Sequence, residues 1–264
     1  MDSTDRFARL VQGPEGTLPL DEAALLVAAH AYPDLDVDEH LRRIDDLAAG
    51  CSEPTLEGWR RHLFEDLGFT GATRRYYDPA NSYLNDVVDR RRGMPIALSV
   101  LGMEVGRRLG VRLAGIGMPG HFLLLHDTGS RGPADLFVDP FHGGAVLDRR
   151  GCNERFVEIN GPRAPFLASY LEVVGPRAIL MRMLTNLKSV FVRRGDLAGL
   201  RWVVELRLAI PGTPMVEHRD RALVMGALGR FDDAADELES LAEIIPDSAP
   251  ELLAEAVAFR SRLN

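Results

Sequence analysis

The sequence predicts an α+β fold in which two helical regions flank a short run of strands. Apolar residues recur at helical spacing over residues 20–68 and again from about residue 176 onward. Between these regions lie short apolar runs bounded by turn residues, which is typical of strands. The runs are residues 111–117, 121–126 and 136–139, and the last two are expected to pair as antiparallel strands around the turn-rich segment 127–134.

This pattern predicts a chain of three parts. They are an N-terminal helical part at residues 1–68, a core at residues 69–175 and a C-terminal helical part at residues 176–264. In the first part Thr55 is a suitable N-cap for the last helix. In the core, a short helix is expected from about Ser82 to Arg91.

Composition narrows the class of protein. The chain has 264 residues, of which 46% are hydrophobic and 27% charged, a usual globular mix. A net charge of −8 argues against a nucleic-acid partner, which calls for a basic face. The N-terminus lacks the pattern of a signal peptide, and no apolar run is long enough to span a bilayer. The two cysteines, Cys51 and Cys152, fit a reducing compartment, so we expect a cytoplasmic protein with no membrane contact.

A strongly apolar helix is predicted at the centre of the core. Gly93-Met94-Pro95 opens it, because a proline is tolerated in the first helical turn, where its missing N–H is not needed. Arg107 and Arg108 suit the dipole of its last turn, and Gly110 ends it near Leu109.

The C-terminal part contains an internal repeat. Gly195 and Gly229 are 34 residues apart, and each is followed by an amphipathic helix that ends in an Ile-Pro pair at Pro211 and Pro246. Helix–turn–helix units of this period closed by proline are typical of tetratricopeptide repeats. About two units fit, with a capping helix from Ala249 to Leu263; a plain helical bundle is the alternative.

His121 and Asp139 are the candidate catalytic pair, because they lie on neighbouring predicted strands. An imidazole oriented by a carboxylate and facing a helix N-terminus is the arrangement that activates a cysteine in thiol enzymes. The alternative is a structural polar pair.

Four sequence blocks resemble the SirB-one branch of the transglutaminase-like superfamily. They are Asn81-Ser82-Tyr83-Leu84-Asn85, Arg91-Arg92-Gly93-Met94-Pro95-Ile96, Gly117-Met118-Pro119-Gly120-His121-Phe122 and Asp139-Pro140-Phe141-His142-Gly143-Gly144. The resemblance implies a papain-type core with N-terminal helices and C-terminal repeats. It also implies that His121 is the base, that Asp139 orients it, and that Asn81, Ser82, Arg92 and Pro95 line the site.

The same resemblance places Pro95 where the superfamily has its nucleophilic cysteine. A proline has no thiol and also removes a backbone N–H that thiol sites use as an oxyanion donor. Ser99, one turn further along the helix, is expected to be packed in the core. Ser82 is expected to be an N-cap, Cys152 an incidental thiol, and Cys51 to have no role in the site.

The residue types allow two further kinds of site, a metal site and an anion-binding site. His121, His126, Asp139 and His142 are metal-ligating types, but His121 and His126 would point to opposite faces of one strand, so no metal is predicted. The arginines at positions 74, 75 and 90–92 could recognise an acidic partner or a phosphate, although a solvated helix end explains them more simply. No cofactor is expected.

Two functions remain open from the sequence. The first is a non-catalytic module that binds a protein or peptide partner, which the missing cysteine and the helical repeats favour. The second is a hydrolase or acyl transferase in which His121 and Asp139 act with an unconventional nucleophile or a water. The sequence does not fix the oligomeric state.

Overall fold

The computed structural model describes residues 2–129, 132 and 135–263. They form two compact units: Gly13–Met183, and Met1–Gln12 together with Leu184–Asn264. The predicted helices between residues 20 and 68 therefore lie in the same unit as the strands. The three-part division by sequence stays a prediction.

The chain is predominantly helical, with α1 at Ser3–Gln12. The larger unit contains α2 at Leu20–Ala29, α3 at Val37–Ala49, α4 at Leu56–Arg60, α5 at Leu84–Arg90, α6 at Pro95–Leu109 and α7 at Arg149–Asn160. Thr55 is the N-cap of α4, as predicted, and its hydroxyl accepts a hydrogen bond from the N–H of Gly58. The helix continues as a π-helical segment over Arg61–Asp66.

Helix α6 matches its predicted bounds and forms the centre of the larger unit. Pro95 is its first residue, Met94 is its N-cap, and Gly110 ends it with a φ of 75°. Most of its side chains are buried because it packs against α3 and α5 on one side and against the sheet on the other. Trp59 from α4 donates its indole N–H to the carbonyl of Gly102 over 3.1 Å.

The sheet has five strands within the described ranges, all antiparallel to their neighbours, in the order β6-β5-β4-β3-β7. Two short strands that precede these in the chain, β1 and β2, form a separate pair and are described below. The strands of the sheet are β3 at Leu113–Ile116, β4 at Leu123–His126, β5 at Phe137–Asp139, β6 at Ala145–Leu147 and β7 at Val173–Val174. The predicted pairing of the second and third runs is confirmed, since Leu124 is opposite Val138. The predicted turn segment 127–134 lies partly outside the described residues.

Two local predictions need correction, and one pair of strands was not predicted. Strand β4 begins at Leu123, so His121 lies before the strand rather than in it. The short predicted helix begins at Leu84, and its N-cap position is Tyr83 rather than Ser82. A two-residue parallel pair, β1 at Thr70–Gly71 with β2 at Arg92–Gly93, was not predicted.

The smaller unit is helical throughout its described residues. The helix α8, Pro176–Arg194, crosses the boundary between the units, and the helices after it are α9 at Leu197–Ala209, α10 at Val216–Ala227, α11 at Phe231–Ile244 and α12 at Ala249–Arg260. Consecutive helices from α9 to α12 pack against each other, and α1 packs against α9. Gly195 and Gly229, the equivalent positions of the predicted repeat, both have a left-handed φ, of 64° and 80°.

A buried ion pair network joins the helices of the smaller unit. The carboxylate of Glu217 is 2% exposed and lies 2.6 Å from Nζ of Lys188 and 2.9 Å from Nη2 of Arg207. Burial acts to raise the pKa of Glu217, but the hydrogen bonds from Arg207 and Lys188 outweigh it and lower the pKa. Among the described helices, none has the length and apolar character needed to cross a lipid bilayer.

Candidate functional site

The backbone of His121 is fixed by a turn and by the half-buried Arg182. Gly120 has a φ of 75°, a conformation that favours glycine, and the N–H of His121 donates to the carbonyl of Met118 over 3.0 Å. Nη2 of Arg182 donates to the carbonyls of Met118 and His121, at 2.8 and 2.7 Å. The guanidinium lies 5.4 Å from the centroid of the Phe122 ring. The main chain at His121 therefore has little freedom.

The imidazole of His121 is hydrogen-bonded to Asp139. Nε2 of His121 lies 2.9 Å from Oδ1 of Asp139, which ends β5 and is fully buried. Because an ionised carboxylate only accepts hydrogen bonds, we assign the shared proton to Nε2. Nδ1 of His121 can then accept a proton or a hydrogen bond, and no described residue donates a hydrogen bond to it.

Two more side chains complete the surroundings of the Asp139 carboxylate. Nδ1 of His142 donates to Oδ2 over 2.7 Å, and the backbone N–H of His142 reaches Oδ1 over 3.3 Å. Nε of Arg155 forms an ion pair with Oδ2 at 3.0 Å, and Nη1 of Arg155 lies 3.3 Å from Nε2 of His142. Both carboxylate oxygens are therefore held by donors.

These partners keep Asp139 ionised. Burial acts to raise its pKa, but the hydrogen bonds from His121 and His142 and the electrostatic interactions with them outweigh that effect and lower the pKa below its usual value. An ionised Asp139 holds the Nε2 proton of His121 and so fixes the tautomer that exposes Nδ1.

An aromatic wall supports the imidazole. The ring of Phe141 contacts those of Tyr76, His121 and His142, with centroids 6.2, 6.0 and 5.2 Å away. Phe141 packs directly on Gly71 of β1, where a Cβ atom would come within 2.6 Å of the ring carbons. The absence of a side chain at Gly71 thus lets Phe141 reach the site.

The structure brings together three residues of the types that bind metal ions, so the possibility of a metal site must be considered again. The ligand atoms of His121, Asp139 and His142 lie within 4.8 Å of one another, whereas His126, on β4, is not in this group. The sequence argued against a metal site because His121 and His126 would point to opposite faces of one strand. That reason does not apply, because His121 precedes β4.

The chemistry of this group nevertheless does not suit a cation. The nitrogens that face Asp139 carry protons donated to its carboxylate, and the other nitrogen of His142 faces Arg155. A metal ion needs lone pairs at these atoms and would meet the positive guanidinium beside them. The prediction that no metal is bound stays a prediction.

Pro95 lies buried at the start of α6, and this helix packs against the Pro140–His142 turn that carries two of the site residues. The N–H of Met94, the residue before it, donates to the carbonyl of Asn81 over 2.7 Å. The alignment of Pro95 with the nucleophile position rests on the sequence resemblance and stays a prediction.

Asn81 holds the loop before α5 together. Its Nδ2 donates to the carbonyls of Arg75 and Tyr76, at 2.9 and 3.2 Å, and its Oδ1 accepts from Nη2 of Arg90 at 2.9 Å. The side chain is almost fully buried. Asn81 therefore positions Tyr76, which belongs to the aromatic wall, and its hydrogen-bonding groups are already used.

The hydroxyl and thiol groups considered as substitutes for a nucleophile are buried. Ser82 ends a short helical turn at Pro79–Asn81, and Ser99 is fully buried in α6, as expected. Cys152 packs in an apolar cluster that includes Phe137 and Phe156. Burial, followed by the negative charges of Asp148 and Asp139, raises the pKa of Cys152 to about 12, the opposite of what a thiol nucleophile requires.

The remaining predicted residues, Arg92 and Cys51, make no hydrogen bond to His121 or Asp139 in the part of the chain that the structure describes. Arg92 is exposed on β2. The thiol of Cys51 donates to the carbonyl of Glu53. Sequence reasoning missed Arg155 and Arg182 as site residues, and it considered His142 only as a metal ligand. The signal for His142 was present, since it lies three residues after Asp139 in one of the sequence blocks.

Comparison with known proteins places the chain in a family. Residues 24–185, which include Pro95, His121 and Asp139, match the family model described as the transglutaminase-like superfamily. A UPF0162 protein of Xylella fastidiosa is 37% identical over 251 residues, covering 88% of this chain and 86% of the relative.

Other relatives are less similar in sequence or match a smaller part of the chain. The UPF0162 protein PA3419 of Pseudomonas aeruginosa is 34% identical over 194 residues, covering 69% of this chain and 68% of the relative. F-box only protein 21 of Homo sapiens is 33% identical over 145 residues, covering 53% of this chain and 22% of that protein. No solved structure matches significantly. The chain therefore belongs to the transglutaminase-like superfamily and, within it, groups with the UPF0162 proteins.

Proposed function

We propose that this protein is a non-catalytic member of the SirB-one branch of its superfamily, which binds a peptide or protein segment at the His121–Asp139 site. The proposal rests on one observation: none of the candidate nucleophiles is suited to attack a substrate. Pro95 has no reactive atom, Ser82 and Ser99 are buried, and Cys152 has a raised pKa in an apolar cluster. A base without a nucleophile retains its hydrogen-bonding capacity but not the covalent chemistry of a thiol enzyme.

The geometry of the His121 ring supports a binding role. Asp139 and Arg182 fix the ring and its main chain, and Nδ1 is left to accept a hydrogen bond, for example from a peptide N–H. The neighbouring rings of Phe141 and Tyr76 offer apolar contact next to that acceptor. A preorganised polar atom beside apolar surface is typical of ligand sites.

The C-terminal helices are proposed as a second binding surface of tetratricopeptide-like type. The 34-residue spacing of Gly195 and Gly229 and their shared left-handed φ support this interpretation. Val216, Ile244 and Val257 are large apolar side chains that stay more than half exposed. We further propose a cytoplasmic location, which the free thiols of Cys51 and Cys152 support.

A hydrolase or acyl transferase is the second candidate, and one observation favours it. The 2.9 Å hydrogen bond between His121 and Asp139 is the geometry of a general base with its orienting carboxylate. Because none of the candidate nucleophiles considered above is suited to attack, His121 would have to activate a water or a hydroxyl of the substrate itself.

Defined peptides separate the two candidates. We titrate three proteins: the wild type, His121→Ala and, as a matched control, His126→Ala. The ligands are members of a synthetic library of peptides, peptide amides, esters and isopeptides. Mass spectrometry follows the products. We expect peptides that bind the wild type and His126→Ala but bind His121→Ala about tenfold more weakly, with no change in peptide mass. Turnover that disappears in His121→Ala would instead establish the enzyme, and peptide binding that is indifferent to His121 would remove the proposed site.

A further inference from the structure

Arg182 is a half-buried cation for which the described part of the chain supplies no counter-charge. Its Nη2 donates to the main-chain carbonyls of Met118 and His121, and no carboxylate among the described residues forms an ion pair with the guanidinium. Burial lowers the pKa of Arg182, and the only described group that counteracts this effect is Tyr76. The direction is that of a desolvated cation without an anionic partner.

Other shielded arginines of the chain are paired with carboxylates. Nη2 of Arg108 lies 2.7 Å from Oδ2 of Asp21, and Nη2 of Arg207 lies 2.9 Å from Oε2 of Glu217. A guanidinium that is shielded from water loses part of its hydration, and a neighbouring anion offsets that loss. Arg182 has no such partner among the described residues and is therefore suited to an external anion.

The remaining donors of Arg182 are accessible and held in place. Nε and Nη1 make no hydrogen bond to any described residue, and neither is among the described buried atoms that lack a partner, so both reach solvent. Nη1 lies over Gly117, where a Cβ atom would come within 3.3 Å of it, and the guanidinium lies 5.4 Å from the centroid of the Phe122 ring. The group thus presents free N–H donors in a fixed plane.

The hydroxyl of Tyr76 is a second donor at this place. Its ring makes edge-on contacts with those of Tyr77 and Phe141, at centroid distances of 5.3 and 6.2 Å, and Phe141 also contacts the imidazole of His121. Burial, followed by Tyr77, raises the pKa of Tyr76, whereas the charge of Arg182 acts to lower it. The hydroxyl therefore lies near the guanidinium and stays protonated at neutral pH. It makes no hydrogen bond with any described residue.

Two exposed arginines add positive charge beside Tyr76. Arg74 and Arg75 directly precede it and form no ion pair with any residue that the structure describes. Asp78, the nearest carboxylate along the chain, caps a turn by accepting a backbone N–H, and the two arginines outnumber it. The carboxylate of Asp139 is already held by donors on both oxygens. In a chain of net charge −8, this local excess of cations favours an anionic ligand.

We propose that the segment bound at the His121–Asp139 site carries a carboxylate, with one oxygen on Arg182 and the other on the hydroxyl of Tyr76. This inference rests on the function proposed above. One guanidinium and one hydroxyl match the single charge and two oxygens of a carboxylate. Nδ1 of His121 accepts an N–H of the same segment. The carboxylate is either the C-terminus of a peptide or the side chain of an Asp or Glu within it.

The test uses the full chain, immobilised, and four libraries of acetylated pentapeptides randomised over neutral residues. The first ends in a free carboxylate and the second in a carboxamide. The third and fourth both end in a carboxamide and hold Glu or Gln, respectively, at the central position. Mass spectrometry of the retained peptides gives the enrichment of each acidic library over its neutral counterpart.

Five variants accompany the wild type. Tyr76→Phe removes only the hydroxyl, and Tyr77→Phe is its control, because it removes the same group from the neighbouring exposed ring. Arg182→Met removes the guanidinium, and Arg150→Met, on an exposed arginine, is its control. His121→Ala tests whether retention depends on the proposed site. Urea titration shows which variants are folded, and Tyr76→Phe decides the outcome if Arg182→Met is not.

We expect the wild type to enrich at least one acidic library about tenfold or more. The enrichment should fall about threefold or more in Tyr76→Phe and disappear in Arg182→Met, and both controls should match the wild type. The library that is enriched identifies the source of the carboxylate. Enrichment that is unchanged in Tyr76→Phe and in a folded Arg182→Met overturns the inference.

The libraries also separate this inference from the proposed function. Equal retention of acidic and neutral libraries that is lost in His121→Ala overturns the carboxylate and leaves the proposed function standing. Acidic enrichment that survives His121→Ala but falls in Tyr76→Phe supports the carboxylate site and removes His121 from the proposed function. No retention of any library overturns both.

Discussion

Arg182 donates to the main-chain carbonyl of His121 over 2.7 Å from a position 61 residues further along the chain. The same Nη2 atom also holds the carbonyl of Met118, and the guanidinium lies over the Phe122 ring. His121 is thus fixed at its backbone by Arg182 and at its ring by Asp139. The free Nδ1 edge of the imidazole is presented in one orientation as a result.

Replacing Arg182 should loosen this turn. Arg182→Met keeps much of the side-chain volume but leaves two carbonyls without their donor, so we expect the free energy of unfolding to fall by about 1–3 kcal/mol in urea titrations. Arg150→Met is the matched control, because Arg150 is exposed and makes an i,i+4 ion pair on α7, and it should change stability by less than about 0.5 kcal/mol. Equal effects of the two substitutions would show that Arg182 does not hold the site.

The stability of the protein should depend on pH through Asp139. Burial acts to raise its pKa in the folded protein, but the hydrogen bonds from His121 and His142 and the electrostatic interactions with them outweigh this effect and lower it. Such a group contributes stability that is fully present above the unfolded pKa of about 4 and is lost as the pH falls through the lowered folded value. Over this acidic window we expect the free energy of unfolding to decline more steeply for the wild type than for Asp139→Asn. Parallel curves for the two proteins would contradict this assignment.

The two thiols should differ sharply in reactivity. Cys152 is fully buried and has a pKa of about 12, whereas Cys51 is partly exposed at the end of α3. Because the thiolate is the reactive species, iodoacetamide should label Cys51 in the native protein and Cys152 only after unfolding. Peptide mapping by mass spectrometry measures both sites in one sample. Native labelling of Cys152 at the rate of Cys51 would restore it as a candidate nucleophile.

The helical framework could be predicted from the sequence because its signals are local. Pro95 and Gly110 mark the ends of α6, and the apolar run between them leaves no other element type open. Helices α1 and α7 were not predicted as separate elements. Helix α7 buries only Cys152 and Phe156 and shows weak apolar periodicity, whereas in α1 the signal was present, since its buried Phe7 and Val11 lie one helical turn apart.

The candidate site was predicted only in part, and the reason is distance along the chain. His121 and Asp139 stood out because His121 lies just before β4, Asp139 ends β5, and these two strands are neighbours in sequence. Arg155 lies on the unpredicted α7, and Arg182 lies on α8; neither is marked by a local motif. The expected N-cap role of Ser82 was wrong because the chain makes a helical turn at Pro79–Asn81 before α5 begins.

We propose that Pro95 occupies the position at which the superfamily has its nucleophile, beside the His121–Asp139 pair. The most direct test is thiol titration of Pro95→Cys in a background of Cys51→Ser and Cys152→Ala, with and without His121→Ala. We predict that the new thiol has a pKa well below the value of about 8.5 for a free cysteine, and that His121→Ala abolishes this lowering. A thiol at position 95 whose pKa is ordinary or raised, or is indifferent to His121, would contradict the claim.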